Sequence, residues 1–138
     1  MNYDDLYSDE QLAANQTMQN GALEAPFIFK KNGFYYLFFS WDRCCKGLDS
    51  SYKTVVGRSK TIDGPYWDKN GNKLIHGGGT IIASETDRWA AVGHPAAYTF
   101  NGTDYLVAHA YDKTDDGKPK LILAEITWVD GWPTVELE

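Results

Sequence analysis

An all-β fold made of two consecutive, similar units is what this sequence predicts, and three observations carry the prediction. The apolar runs are short, rich in β-branched and aromatic residues, and bounded by Asn-Gly and Asp-Gly pairs. No long segment keeps an apolar stripe at helical spacing. A set of motifs also recurs in order: Pro26 returns as Pro95, and Asn32-Gly33-x-x-Tyr36-Leu37 returns as Asn101-Gly102-x-x-Tyr105-Leu106, each 69 positions on. With one inserted residue Trp41-Asp42 matches Tyr111-Asp112, and with a small deletion Asp63-Gly64 matches Asp130-Gly131.

The elements follow in chain order. Residues 1–20 are a polar lead-in, in which Ser8-Asp9-Glu10-Gln11 reads either as the capping box of a short helix around Leu12 or as solvated chain. The first unit, about 21–90, holds the runs Phe27–Phe29, Phe34–Phe39, Thr54–Gly57 and Thr80–Ala83, with Asn32-Gly33 as a hairpin turn and Asp63-Gly64-Pro65 as a second turn. The second, about 91–138, holds Ala97–Phe100, Tyr105–Ala108 and Leu121–Ala124. Each unit therefore reads as Pro, strand, Asn-Gly hairpin, aromatic strand, long loop, strand, Asp-Gly turn. A repeated four-stranded unit is the signature of a β-propeller blade, which buries its faces by stacking on neighbours. Rings close with about four to eight blades. Two antiparallel blades make a partial propeller, to be completed by a partner chain or by self-association. A two-sheet sandwich is the alternative at this length.

Composition narrows the function classes. Thirteen Lys and Arg against 19 Asp and Glu leave a net charge of −6. A nucleic-acid partner is not expected, because phosphate binders concentrate positive charge, and neither is docking on anionic lipid. No apolar run approaches the roughly 18 residues of a membrane span. The acidic start Met1-Asn2-Tyr3-Asp4-Asp5 carries no apolar segment, so no signal peptide is expected in this stretch. Cys44 and Cys45 are adjacent, with α-carbons about 3.8 Å apart against the usual disulfide range of about 4.4–6.8 Å, and two free thiols are expected.

Two residues invite chemistry. Glu24 lies just before the first strand of the first unit, and His94 occupies nearly the equivalent place in the second. Spacing alone makes them a surface glutamate and a backbone-bonded loop histidine. The innermost strands of a propeller line its central channel, however, so a carboxyl and an imidazole would converge there. His76 and His109 read as structural, Trp67, Trp89, Trp128 and Trp132 as packing between sheets. Gly77-Gly78-Gly79 is no phosphate loop, since no Lys-Ser/Thr follows it.

The run Glu24-Ala25-Pro26-Phe27-Ile28-Phe29-Lys30-Lys31-Asn32-Gly33-Phe34-Tyr35-Tyr36-Leu37-Phe38 resembles glycoside hydrolase family 43, the five-bladed arabinan-degrading propellers. So do Trp41-Asp42-Arg43-Cys44-Cys45-Lys46-Gly47, Ser51-Tyr52-Lys53, Val56-Gly57-Arg58-Ser59-Lys60, Gly77-Gly78-Gly79-Thr80, Gly93-His94-Pro95, His109-Ala110-Tyr111-Asp112 and Asp130-Gly131-Trp132-Pro133. The likeness runs from about Gly21 to Val135, corresponds to the last two blades, and is nearest to endo-acting α-1,5-L-arabinanases.

The resemblance implies an inverting glycosidase acting on arabinan. Inversion needs an acid for the leaving oxygen and a base for water on the opposite face, about 6.5–9.5 Å apart. The family's general acid maps onto Glu24. The histidine that maps onto His94 reaches, in related arabinanases, a calcium ion held mostly by water. The general base and a further aspartate belong to earlier blades that this sequence does not contain, and Asp4, Asp5 and Asp9 lack blade context to replace them. The isolated polypeptide is expected to be inactive or nearly so. Trp41 and Arg43, in or beside the loop from Asp42 to Ser51, are candidates for sugar contact, with blade packing the alternative for Trp41. A parent of this family is typically secreted or periplasmic. A non-catalytic carbohydrate-binding or self-associating blade module is the alternative function.

Overall fold

A computed structural model of the chain describes residues 22–138. The helix considered around Leu12 and the acidic residues Asp4, Asp5 and Asp9 lie outside the described residues. Eight strands form two four-stranded antiparallel sheets, each a meander in chain order. The first holds β1 (Leu23–Lys31), β2 (Phe34–Trp41), β3 (Lys53–Ser59) and β4 (Thr80–Ala83), and the second holds β5 (Trp89–Phe100), β6 (Thr103–Asp112), β7 (Lys118–Val129) and β8 (Trp132–Val135). The all-β class and the two four-stranded antiparallel units are as the sequence predicts.

The repeat is visible in the backbone. Asn32 and Gly33 turn β1 into β2 with φ of 49° and 80°, and Asn101 and Gly102 turn β5 into β6 with φ of 49° and 81°. Positive φ at both central residues is the geometry that matches a two-residue loop to the twist of its strands, and Asn-Gly adopts it at least cost. Asp130-Gly131 does the same between β7 and β8, whereas Asp63-Gly64 opens a long excursion before β4 begins at Thr80.

The sheets share one core. Tyr36, Phe38 and Val56 of the first sheet meet Leu106, Ala108, Ala110, Ile122 and Ile126 of the second, with Trp89 and Trp132 closing the ends. Alternation along each strand puts these residues on one face. The small side chains on β6 leave room for the rings of β2. Trp128 lies 4.8 Å from the Tyr36 ring and stacks on Phe29 at 6.3 Å, while its Nε1–H donates to Asp104 at 2.8 Å. The opposite face of the first sheet is covered by the excursion, through Tyr66 and Leu74 on Leu37, Phe39, Trp41 and Val55. Trp67 departs from expectation: it sits on the outside of this excursion, exposed, with the Lys73 ammonium 5.1 Å from its ring.

Among the described residues nothing covers the opposite face of the second sheet. Leu121, Leu123 and Tyr98 on it are 78%, 67% and 66% exposed, and cross-strand pairing aligns them with His109, Val107 and Tyr105.

Candidate active site

Glu24 and His94 stand on β1 and β5, the first strand of each sheet, and both strands are bent at the same place. Pairing slips by one residue between Glu24 and Phe27 in β1 and between Gly93 and Ala96 in β5. Each bulge contains a proline, Pro26 or Pro95, which has no N–H to give a ladder and is tolerated on edge strands and at bulges. The residue before each proline is left-handed, Ala25 at φ 55° and His94 at φ 54°. His94 is therefore the counterpart of Ala25, and Gly93 that of Glu24. The two candidates occupy neighbouring steps of one repeated bulge, not one step.

Three side chains tie the two bulges together. Ser40, opposite Glu24 in the β1–β2 ladder, accepts the His94 backbone N–H at 2.7 Å. Tyr52, just ahead of β3, donates its hydroxyl to Glu24 Oε1, and its carbonyl accepts the Val92 N–H at 3.1 Å. Thr54 donates to the Val92 carbonyl at 3.0 Å. Burial first, and then the Glu24 carboxylate, push the Tyr52 phenol well above its ordinary range, so it remains a neutral donor. Its ring fills the space beside Gly93: a Cβ there would stand 2.3 Å from Tyr52 Cδ2, so only glycine leaves the ring in place.

A second aromatic layer supports the first. Tyr52 packs with Ala90, Ala91 and Tyr111, and Cys44 lies against the group. The Tyr111 hydroxyl accepts the Cys45 N–H at 2.9 Å, and the His109 ring meets Tyr111 edge-on at 4.9 Å. His109 pairs with Gly93, and burial, followed by His94, lowers its pKa. The expectation of free thiols is overturned, because Cys44 and Cys45 form a disulfide with each other. Their α-carbons stand 3.8 Å apart, as neighbours must, and the bridge closes at that spacing with Cys45 left-handed at φ 70°.

The other candidates separate. Trp41 is 2% exposed, at the end of β2, where Gly79 and Val55 close on its ring, so it offers no face to a sugar and is a core residue. Arg43 is exposed beyond it, its backbone bonded to Ser51. The buried carboxylates among the described residues all have structural partners. Asp42 pairs with Lys53, Asp68 accepts the N–H groups of Asn70, Asn72 and Gly79, Asp104 accepts Thr99 and Lys31, and Asp112 accepts Thr114 and Arg88. No group of three potential metal ligands occurs among the described residues. Calcium takes about six to eight oxygen ligands, and one exposed imidazole at His94 does not fit it, so no chemistry here is routed through calcium. A depression of about 750 Å³ lies elsewhere, along β7 between Lys120 and Glu136.

Sequence reasoning missed Tyr52, Ser40 and Tyr111. Tyr52 and Tyr111 lie in quoted motifs, yet nothing in their spacing signals that loop and strand end would meet at Glu24. Ser40 could be found only from the register of β1 on β2.

Comparison with known proteins agrees with the fold. The family profile described as glycosyl hydrolases family 43 matches residues 3–133. An extracellular exo-α-(1→5)-L-arabinofuranosidase of Cellvibrio japonicus is 48% identical over 132 residues, 95% of this chain and 36% of that protein. An extracellular endo-α-(1→5)-L-arabinanase of Bacillus subtilis is 47% identical over 114 residues, 83% of this chain and 34% of that protein. The structure of a Cellvibrio cellulosa α-L-arabinanase complexed with arabinohexaose superposes with a TM-score of 0.80 at 48% identity, covering 83% of this chain and 36% of that one. The chain thus spans about a third of the length of the relatives it matches. A profile covering nearly the whole sequence, and relatives at this identity on the same two sheets, place the chain in glycosyl hydrolase family 43.

Proposed function

We propose that this chain is the acid-bearing part of an inverting glycosidase that cleaves arabinan, and that Glu24 is its general acid. The observation that carries the reading is the pair of bulges joined through Ser40 and Tyr52, which sets an exposed carboxyl on a buried phenol where the first strands of both sheets come together. The resemblance of the Glu24-Ala25-Pro26 run to the family's acid motif and the arabinose-polymer activities named for both relatives support it.

The reaction balances as follows. Glu24 gives its proton to the glycosidic oxygen while the electron pair of the C1–O bond moves onto that oxygen. Water bonds to C1 from the opposite face, and its surplus proton passes to a carboxylate base. That base belongs to the remaining part of the enzyme, as the resemblance to the family implies. The chain alone should therefore be incompetent. The uncovered apolar face at Tyr98, Leu121 and Leu123 is where the rest of a propeller would stack, because exposed apolar patches of this kind mark interaction surfaces. Calcium, if it binds near His94, would need oxygen ligands from beyond this chain. The extracellular setting named for both relatives carries over to this chain under the same reading.

The test is complementation. The chain is mixed with a polypeptide carrying the preceding two-thirds of the Cellvibrio japonicus relative and assayed on linear arabinan. Hydrolysis by the mixture, absent from either part and from a mixture with Glu24→Gln, is expected. Activity undiminished by Glu24→Gln removes the assignment.

A further inference from the structure

We propose that Tyr52 is the positioning residue for the acid: its hydroxyl holds Glu24 Oε1, so that the transferable proton resides on Oε2. This rests on the reading of Glu24 as the general acid and adds to it the group that decides which oxygen delivers the proton.

Donors and acceptors decide which oxygen carries the proton. A phenol that donates to Oε1 occupies that oxygen as acceptor, whether the carboxyl is ionised or protonated. When the carboxyl is protonated, the proton sits on the other oxygen, since Oε1 already faces a hydrogen. A carboxyl without such a partner would share its proton between both oxygens and rotate about its terminal torsion, which is broad for glutamate. Transfer to a leaving oxygen needs one oxygen aimed and loaded, and misplacement by about 1 Å costs rate heavily.

Tyr52 is built to hold still. Its ring is clasped by Gly93, Ala90, Ala91 and Tyr111, and Cys44 of the disulfide loop closes on the same group. Tyr111 is in turn fixed by the Cys45 N–H at 2.9 Å. The Tyr52 carbonyl accepts the N–H of Val92, in the second sheet, at 3.1 Å. The phenol thus takes its position from both sheets, while the strand carrying Glu24 is held at a bulge. Phenylalanine at 52 keeps all of these ring contacts and loses only the hydroxyl, with its bonds to Glu24 and Ser40.

The test uses leaving-group dependence, which separates acid positioning from general damage. In the complemented enzyme, Tyr52→Phe is assayed on linear arabinan, whose leaving sugar needs protonation, and on 2,4-dinitrophenyl α-L-arabinofuranoside, whose leaving group does not. The expected result is a fall in kcat of about tenfold or more on arabinan, with a far smaller change on the aryl substrate. Equal losses on both would make Tyr52 merely structural, and no loss on either would remove it from the mechanism; both overturn the proposal. Glu24→Gln is run in parallel: if it lacks the same substrate split, the acid assignment itself has failed, and the two failures are told apart. A measurement on the chain alone covers the case of a complex that does not turn over. Ring-carbon NMR of Tyr52 should show ionisation at a lower pH in Glu24→Gln than in the parent chain, and an unmoved titration, with the fold intact by its methyl signals, overturns the contact.

Discussion

At the β7–β8 turn two donors of the first sheet meet on one backbone carbonyl of the second, and breaking them singly and together gives the sharpest structural prediction. Gly131, in the β7–β8 turn, accepts the Tyr36 hydroxyl at 2.5 Å and Arg58 Nη1 at 2.9 Å, both from the first sheet. Tyr36→Phe removes one donor while Arg58 still serves the carbonyl, so its cost should be roughly 0.5–1 kcal/mol. Arg58→Leu removes the other donor and the guanidinium, which lies 4.2 Å from the Phe34 ring centre and 4.4 Å from that of Trp132. With cation–π contacts at roughly 0.5–1 kcal/mol each, that change should cost about 1–2 kcal/mol. The double variant leaves the carbonyl without a protein donor, and its cost should exceed the sum by about 1 kcal/mol. For a chain of this length each kcal/mol moves Tm by roughly 3–5 °C. Thermal and urea unfolding followed by circular dichroism measure all four corners. Strict additivity would refute the shared acceptor, and with it the account of how the second sheet is registered on the first.

Further predictions concern the carboxylates, the disulfide and the core. Hydrogen bonds from Thr114 first, and then Arg88, hold the Asp112 carboxyl at about 2, below its ordinary value. The stability it contributes is thus present above pH 4 and is lost as pH falls from there through about 2; Asp112→Asn should flatten acid unfolding across that window, and an unchanged profile would remove the assignment. Thiol titration of the denatured chain should find none before reduction and two after it, whereas two at the outset would restore the free cysteines. Trp41→Ala should cost about 3–5 kcal/mol in urea unfolding, the price of emptying a large core site, whereas loss of sugar affinity without loss of stability would return Trp41 to the groove.

Much of the fold was legible because turns announce themselves. Asn-Gly at 32–33 and 101–102 marked two hairpins, and the dense aromatic run at 34–39 between turn signals read as a strand. β8 was missed because it is four residues long and contains a proline. The start of β5, Trp89 to Gly93, was missed because Ala-Ala-Val-Gly has weak strand preference and its two register slips break alternation. At the site, the candidates that came from the bulge motif, Glu24 and His94, were found in one neighbourhood, since the repeated Pro marks the bulge. Trp41 was misplaced as a sugar contact because exposure depends on the excursion from β3 to β4, whose fold over Trp41 has no local sequence signal. The disulfide was excluded by a distance range typical of bridges between separated residues, and this one closes between neighbours whose α-carbons stand 3.8 Å apart.

The claim on which the rest depends is that the carboxyl of Glu24 supplies the proton. The pH–rate profile of arabinan cleavage by the complemented enzyme tests it most directly, because the alkaline limb of a bell-shaped profile reports the group that must be protonated. The account predicts that Glu24→Gln abolishes this limb and lowers the plateau by about two orders of magnitude or more. A bell of unchanged shape and height in the variant would contradict it.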